Sequence, residues 1–282
     1  IYGLTELQNG LHAAALVPIA VGVVLAAGFV IWELRTDEPA LDLRIFRSAR
    51  FNAAISAGAT FNFLQGGATI LFAYYLVTVR QESPELLGLL LIPAMLLASL
   101  AAAGAGRAAA RLGDRTGLVA GLVVLLVGMV MLVLLDMHTS MAVLGIAVAL
   151  NAIGGAIVQT PQSTIMMSSA PPELGGVIPA VTPAVGQASY SPGPAPFAWV
   201  GPTPLLRAGA KKLAGTGITD EQARDALRVA RSGVPGPSGG AGALDPQRAQ
   251  WVVSEATDSM LHAIHTLSLI MAVVPAIAIV LA

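Results

Sequence analysis

Long apolar runs recur along the chain, separated by short polar segments. Each run is continuously apolar, without the two-residue alternation of a membrane β-strand. Each is close to the ~20 residues that a helix needs to cross ~30 Å of hydrocarbon. Six runs meet this description: Leu11–Leu34, Phe51–Thr78, Leu86–Ala105, Leu118–Leu135, Met141–Met167 and Leu261–Ala282. With a weaker seventh candidate from about Leu174 to Val200, the pattern predicts an all-α, polytopic transmembrane helix bundle.

Composition supports a membrane protein. The chain is 55% hydrophobic and 11% charged, with a mean hydropathy of +0.76, which is too apolar for a soluble domain of this length. The absence of cysteine excludes disulfides, iron–sulfur clusters and thiolate metal sites. No basic patch indicates a nucleic-acid partner, and no constellation of catalytic residues indicates an enzyme. We therefore expect a multi-pass protein of the cell membrane, with lipid as its surroundings and no metal or cofactor.

The distribution of arginine predicts the orientation of the helices. One set of alternate loops contains seven arginines, which are Arg35, Arg44, Arg47, Arg50, Arg107, Arg111 and Arg115. The opposite set contains only Arg80. Because cytoplasmic loops are enriched in Lys and Arg, the first set is expected inside the cell. The amino terminus is then outside and the carboxyl terminus inside, which requires an odd number of crossings and favours seven.

The stretch GRAAARLGDRTG lies in one of the inner loops. Asp114 is expected just before a helix that begins near Gly117, where a carboxylate meets the positive end of the helix dipole. Arg111 and Arg115 are within reach of Asp114 or of a neighbouring helix end, and Gly113 and Gly117 allow a sharp reversal. The segment is therefore a candidate gating loop. The alternative is that its arginines only set the topology.

The part ARLGDRTG resembles the cytoplasmic loop signature of the major facilitator superfamily, roughly G-x-x-x-D-R-x-G followed by basic residues. Asp114, Arg115 and Gly117 match, whereas Ala110 replaces the leading glycine and 118–120 replace the basic tail. This is the degenerate form expected in the second half of such transporters.

A second stretch, ELRTDEPALDLRIFRSARF, resembles the linker of EmrB/QacA-type drug:proton antiporters, which have fourteen crossings. The matching residues are Pro39, Leu41, Asp42, Leu43, Arg44, Phe46, Arg47 and Phe51. The residue pattern predicts either an amphipathic element on the inner membrane surface or a plain connector. The resemblance implies that the crossings here are the eighth to fourteenth of the family, that Ile1 lies within an element, and that the amino-terminal half is missing.

The expected organisation follows from these assignments. It comprises the end of an outer loop with a linker helix (1–34), a cytoplasmic amphipathic linker (35–50), a five-helix transmembrane region whose last helix is proline-rich (51–201), an extracytoplasmic loop (202–260) and a final transmembrane helix (261–282). Within the outer loop, Thr219 begins a capping-box pattern, and Asp245 and Pro246 resemble an N-cap and a first helical position.

Two rows of polar side chains are candidates for lining a substrate cavity, because polar groups inside a bilayer usually face a cavity or the bundle interior. The residues are Asn62, Gln65, Thr69 and Tyr74 in the second crossing, and Asn151, Gln159 and Gln162 in the fifth, where they share a face with Gly155. The alternatives are that the amides only hydrogen-bond to neighbouring helices and that Tyr74 belongs to an interfacial belt.

Ionisable groups are missing from the middle of every crossing, although a proton-coupled transporter needs one that can face both sides. His262 and His265 lie at the outer end of the last crossing, where they are expected to form an interfacial pair. The coupling residues are therefore expected in the missing half. The sixth crossing contains Pro179, Pro183, Pro192, Pro194 and Pro196, which make a smooth spanning helix improbable.

The resemblance implies the carboxyl-terminal half of a secondary active exporter. It would move amphipathic drugs or similar small molecules out of the cell by proton antiport with alternating access. Its partners would be the substrate, protons and the missing half. The alternatives are an exporter of an endogenous lipid, siderophore or metabolite, and a non-transporting membrane scaffold or decayed transporter copy.

Overall fold

The computed structural model describes residues 13–36, 46–80, 82–83, 85–169, 176, 178–196 and 245–281. Within these ranges the long elements are α1 (Ala13–Glu33), α2 (Ala49–Tyr74), α3 (Glu85–Leu112), α4 (Asp114–Val133), α5 (Met141–Ser169), α6 (Ile178–Tyr190) and α7 (Pro246–Leu281). Helix α2 continues into a π-helical segment, Tyr75–Val79. The described residues contain no strand, so the prediction of an all-α bundle is confirmed.

The interior of the bundle is formed by α2, α4, α5 and α7. Helices α4 and α5 make the most extensive contact; α5 also packs against α2 and α3, and α7 packs against α4 and α2. Helix α6 packs against α2. Most of the described leucine, valine and isoleucine side chains of α1 and many of α3 are exposed, an apolar surface suited to lipid or to further transmembrane helices.

Five of the helices contain stretches long and apolar enough to cross a membrane. These stretches are Leu16–Glu33, Glu85–Leu112, Asp114–Val133, Met141–Ser169 and Gln250–Leu281. Helix α2 is not among them because its amides and glycines lower its hydropathy, but it is long enough and is surrounded by other helices. A bundle interior tolerates such groups better than lipid does.

The proline-rich segment forms a short helix rather than a smooth crossing. Helix α6 has 13 residues, which at ~1.5 Å per residue span about 20 Å, less than the ~30 Å of hydrocarbon. It begins near Phe51 at the inner end, and its Tyr190 carbonyl lies against Gly66 of α2. A turn at 191–194 follows, in which Gly193 lies against Gly67. The structure does not describe residues 170–175 or 197–200.

Helix α7 begins much earlier than the predicted final crossing. Pro246 is its first residue and follows non-helical Asp245, as the capping pattern predicted. The helix has 36 residues and is therefore ~54 Å long, which exceeds the ~30 Å of hydrocarbon. The rest of the predicted outer loop, with the capping box at Thr219, lies in 197–244, outside the described residues.

The contact between α4 and α5 depends on two glycines. A Cβ atom added to Gly121 would lie 2.7 Å from the Val158 backbone nitrogen and 3.1 Å from the Gly154 carbonyl oxygen. A Cβ atom at Gly154 would lie 2.8 Å from the Leu125 backbone nitrogen. The two backbones therefore approach more closely than any larger side chain allows, as in other membrane helix pairs.

Candidate functional site

The inner turn, residues 112–117, connects α3 and α4 through Gly113 alone. Gly113 has φ = +88° and ψ = 148°, a conformation essentially reserved for glycine, and it is the only described glycine with positive φ. The Gly113 N–H donates to the Ala109 carbonyl at 2.9 Å, which closes the end of α3. The predicted sharp reversal is therefore present, and Gly113 makes it.

The predicted start of α4 was wrong by about one turn. The helix begins at Asp114 instead of near Gly117, so Asp114 is its first residue and Gly113 is the N-cap. The N-cap glycine has no side chain to cap the helix, and the Asp114 charge lies in the first turn, at the positive helix end. Gly117 is inside the helix, where its Cα faces the Pro161 ring of α5.

The charges of the inner turn point away from the bundle. Arg111 and Arg115 are exposed and Asp114 is half-buried. Among the described residues, no ion pair joins Asp114 to either arginine. The expected contact of Asp114 with these arginines is therefore not seen, and the charges are available to groups beyond the described part of the chain.

The end of the predicted amphipathic linker caps α2. Ser48 is the N-cap and its hydroxyl accepts a hydrogen bond from the Phe51 N–H at 3.3 Å. The Phe46 ring meets the Phe51 ring edge to face, with centroids 5.5 Å apart. Most of the residues that carry the linker resemblance lie in 37–45, outside the described residues.

Two of the predicted cavity residues come together at Gly58 of α2. The Asn62 Nδ2 donates to the Gly58 carbonyl at 2.8 Å, and the Gln162 amide of α5 lies directly over the Gly58 Cα. Gly186 of α6 faces the Asn62 amide, since a Cβ atom added there would be 3.4 Å from Nδ2. Gln162 is buried and also contacts the Met166 sulfur, with Nε2 to Sδ at 3.7 Å. The structure thus places two amides where α2, α5 and α6 meet.

The other predicted cavity residues are placed differently. Gln65 is half-buried, and Thr69 is exposed and donates to the Gln65 carbonyl at 2.7 Å. Asn151 is buried near Gly128, and its Nδ2 has no hydrogen-bond partner within the structure. Gln159 is exposed, so it departs from the predicted common face of α5, whereas Gly155 is covered by the Phe61 ring.

Tyr75 and His265 bind neighbouring residues of the turn after α4, which the sequence did not reveal. Tyr74 is half-buried and packs against the core, but it is the neighbouring Tyr75 that is buried and donates to the Asp136 carbonyl at 2.6 Å. His265 is half-buried with Nε2 2.7 Å from the Leu135 carbonyl oxygen, whereas His262 is exposed. His265 thus binds the turn that follows α4, and the interfacial location of the two histidines stays a prediction. No local sequence signal distinguishes Tyr75 from Tyr74.

Comparison with known proteins adds an independent observation. The model of the Major Facilitator Superfamily matches residues 4–194. Two relatives from different strains of Mycobacterium tuberculosis, both called Multidrug resistance protein Stp, are 31% identical to this chain over 158 residues. The aligned region covers 56% of this chain and 29% of each relative, so the match spans less than a third of those proteins.

Proposed function

The chain belongs to the major facilitator superfamily, and from this premise we propose that it is the carboxyl-terminal half of a drug exporter. The exporter would be of the EmrB/QacA type, with fourteen crossings and proton antiport. Family membership makes the protein a multi-pass transporter of the cell membrane and not an enzyme, in agreement with the sequence prediction. The subtype, the half, the substrates and the proton coupling are the proposal.

Two similarities support drug export. The relatives that align over 158 residues are named for multidrug resistance. The linker before α2 resembles that of EmrB/QacA-type drug:proton antiporters, and the inner turn resembles the superfamily signature in the form expected for the second half. An amphipathic substrate needs apolar surface with a few polar groups, which is the usual composition of a small-molecule site.

The main observation in support of the site is that the side chains of Asn62 and Gln162 both lie at Gly58. Both amides lie at the junction of three helices, and the Gln162 amide has only a weak sulfur contact beyond its van der Waals packing. Uncharged amides can donate and accept, so they can bind varied polar groups without selecting one charge. We propose that this junction, with Gln65 and Thr69 further along α2, borders the substrate path. Asn151, Gln159 and Tyr74 remain candidate lining residues.

Transport would proceed by rocking of this bundle against an opposing one around a midplane cavity. The tight α4–α5 contact at Gly121 and Gly154 supports a rigid unit. In the inner turn, Arg111, Asp114, Arg115 and Gly117 would form the gating contact, because the exposed arginines are available to the opposing half. Proton-coupling groups would lie in that half, since the middle of every crossing here lacks an ionisable residue.

Cysteine labelling in the transporter containing both halves tests the site. The chain has no native cysteine, so Asn62→Cys and Gln65→Cys provide single reactive positions. We expect both to react with a small water-soluble maleimide and to be protected by a fluorescent cationic dye that is exported. Ala68→Cys on the same helix is the matched control, because Ala68 is buried in the core and should not react. If neither position reacts in any transport state, the two amides only contact neighbouring helices and do not line the path.

The scaffold alternative is favoured by one feature, the short helix α6 that ends at Tyr190. A dye-export assay distinguishes a scaffold from an exporter. Liposomes with both halves should move the dye when a pH gradient is imposed and stop when an uncoupler is added. Liposomes with this chain alone should not, because one bundle cannot enclose the cavity. Inactivity of both preparations towards dyes, lipids and siderophores would favour a scaffold, and transport of only the latter two would identify an endogenous substrate.

A further inference from the structure

Side-chain hydrogen bonds at the outer end of the bundle differ from those elsewhere. In the crossings, polar side chains such as Thr69, Ser99 and Thr160 donate to a carbonyl one turn back on their own helix. At the outer end, three side chains instead cross between elements. They bind the carbonyls of three consecutive residues in the outer turn, residues 134–140, which connects α4 to α5.

The three bonds are short and come from two helices. Tyr75 Oη donates to the Asp136 carbonyl and Arg80 Nη1 donates to the Met137 carbonyl, both at 2.6 Å. His265 Nε2 of α7 lies 2.7 Å from the Leu135 carbonyl oxygen. A carbonyl can only accept, so Nε2 must carry the hydrogen in this contact, which assigns the tautomer of the neutral ring.

The acceptors lie just beyond the carboxyl-terminal end of α4. The last carbonyls of a helix lack partners within the helix and form the negative end of its dipole. Leu134 is the C-cap, so the carbonyls of 135–137 follow the helix directly, near the negative end of its dipole. A guanidinium and an imidazole N–H are suitable donors here, and Arg80 adds a positive charge of the favourable sign.

The outer turn is held in shape by its own side chains. Asp136 Oδ1 accepts the His138 N–H at 2.7 Å and the Thr139 hydroxyl at 3.1 Å. Thr139 Oγ1 in turn accepts the Asp136 N–H at 2.7 Å. The His138 N–H, followed by the Thr139 hydroxyl, lowers the pKa of Asp136. The Asp136 carboxylate thus accepts hydrogen bonds from its own turn. The three carbonyls instead contact side chains from the end of α2 and from α7.

The π-helical segment explains why Tyr75 and Arg80 act together. In an α-helix, residues five apart point about 140° away from each other at 3.6 residues per turn. Here the Arg80 N–H donates to the Tyr75 carbonyl at 3.0 Å, the i→i+5 bond of a π-helix, which places the two residues one turn apart on a similar face. The wider turn therefore brings both side chains to the same loop. Such segments are frequent at functional sites.

We propose that Tyr75, Arg80 and His265 form an extracytoplasmic clamp. The clamp fixes the outer ends of α2 and α7 on the outer turn, so that these helices and α4 move as one body. It also limits the access of external water, because the side chains of Leu76 and Leu135, adjacent in the chain to Tyr75 and Asp136, are fully buried. The proposal does not depend on what the protein exports.

Labelling from outside tests the clamp in intact cells that express the transporter. Leu135→Cys is the reporter, since its side chain is 0% exposed, and the reagent is a membrane-impermeant maleimide. We expect little labelling in the parent. Adding Tyr75→Phe or His265→Leu should raise the labelling rate about fivefold each, and both together should raise it more, because each removes one donor and lets the turn open more often.

Three controls make the result decisive. His265→Gln keeps an N–H donor and should restore most of the protection. His262→Leu changes an exposed histidine of the same helix and should have no effect. His138→Cys, exposed on the outer turn, should label in every background and reports that the protein reaches the surface.

The outcomes separate the clamp from the proposed function. The clamp is wrong if Leu135→Cys labels rapidly in the parent. It is also wrong if Tyr75→Phe and His265→Leu leave labelling unchanged while His138→Cys reacts fully. A transporter that moves no dye but shows the expected labelling would contradict drug export and leave the clamp in place.

Discussion

The two ends of α4 are held in different ways. At the inner end, Gly113 alone connects α3 to α4, and the exposed charges of the inner turn make no ion pair within the described part of the chain. At the outer end, residues 134–140 are braced internally and bound by Tyr75, Arg80 and His265. The charged groups of one end are largely exposed, whereas three side chains at the other end bind the carbonyls of a turn.

This difference indicates where each polar group acts. Charges that remain exposed at a helix end can pair with another part of a transporter and separate again. Donors that bind partly buried carbonyls stabilise one arrangement, because breaking these hydrogen bonds leaves polar groups unsatisfied. The inner turn is therefore suited to a contact that changes during transport, and the outer turn to one that persists.

The largest effect on stability is expected at the close contact between α4 and α5. Gly121→Ala places a methyl group against the backbone of α5, which cannot move aside as a side chain can. We expect a loss of about 2–3 kcal/mol in stability, measured as a lower Tm of the detergent-purified protein. Gly145→Ala is the control, because its added methyl would lie 3.5 Å from Leu90 Cδ2, an ordinary contact. Equal Tm values for the two variants would contradict the close α4–α5 approach.

A smaller loss is expected from changing the backbone of the inner turn. Gly113→Ala has space for the methyl group, but the positive φ disfavours it by about 1–3 kcal/mol. Gly104→Ala, in an open helical position of α3, should instead raise stability by ~0.5–1 kcal/mol. Opposite shifts in Tm support the glycine-specific turn. A stable Gly113→Ala variant would mean that the turn adopts another conformation.

The exposed charges of the inner turn should affect transport without affecting stability. Arg115→Ala removes no ion pair among the described residues, so its Tm should match that of the parent. In the transporter with both halves, we expect the export rate of every substrate to fall about tenfold, equivalent to ~1.4 kcal/mol in the barrier. Asp114→Asn should behave similarly. A changed substrate preference with normal rates for other compounds would contradict a gating role.

The smallest effect concerns the carboxylate that braces the outer turn. Because the folded protein lowers the pKa of Asp136 below 3.8, its stabilising contribution is present above that value and is lost as the pH falls through the lowered pKa. Asp136→Asn keeps an oxygen acceptor but cannot titrate. The parent should therefore have the higher Tm near neutral pH, and the difference should vanish in acid. If the difference in Tm does not change with pH, the effect comes from the shape of the side chain and not from its charge.

The polar residues of the membrane interior were only partly predictable. The spacing of Asn62, Gln65 and Thr69 identified a polar face of α2, but not that Gln162 would lie over Gly58. Gln159 does not share the buried face of Asn151, because eight residues are about 2.2 turns of α5 and rotate the side chain by about 80°. Periodicity measures angles along one helix and contains no information about its neighbours.

What the sequence determined by itself is the set of properties that depend on local composition. Apolar length predicted the long helices, and short motifs identified the turn at Gly113 and the superfamily, whereas the orientation that the arginine distribution indicates stays a prediction. Only the tertiary structure decided the outer clamp, because its donors and acceptors are separated by 57 to 130 residues along the chain. The π-helical segment that aligns Tyr75 with Arg80 likewise has no local signal. Such contacts follow from how helices pack, and packing is a property of the whole bundle.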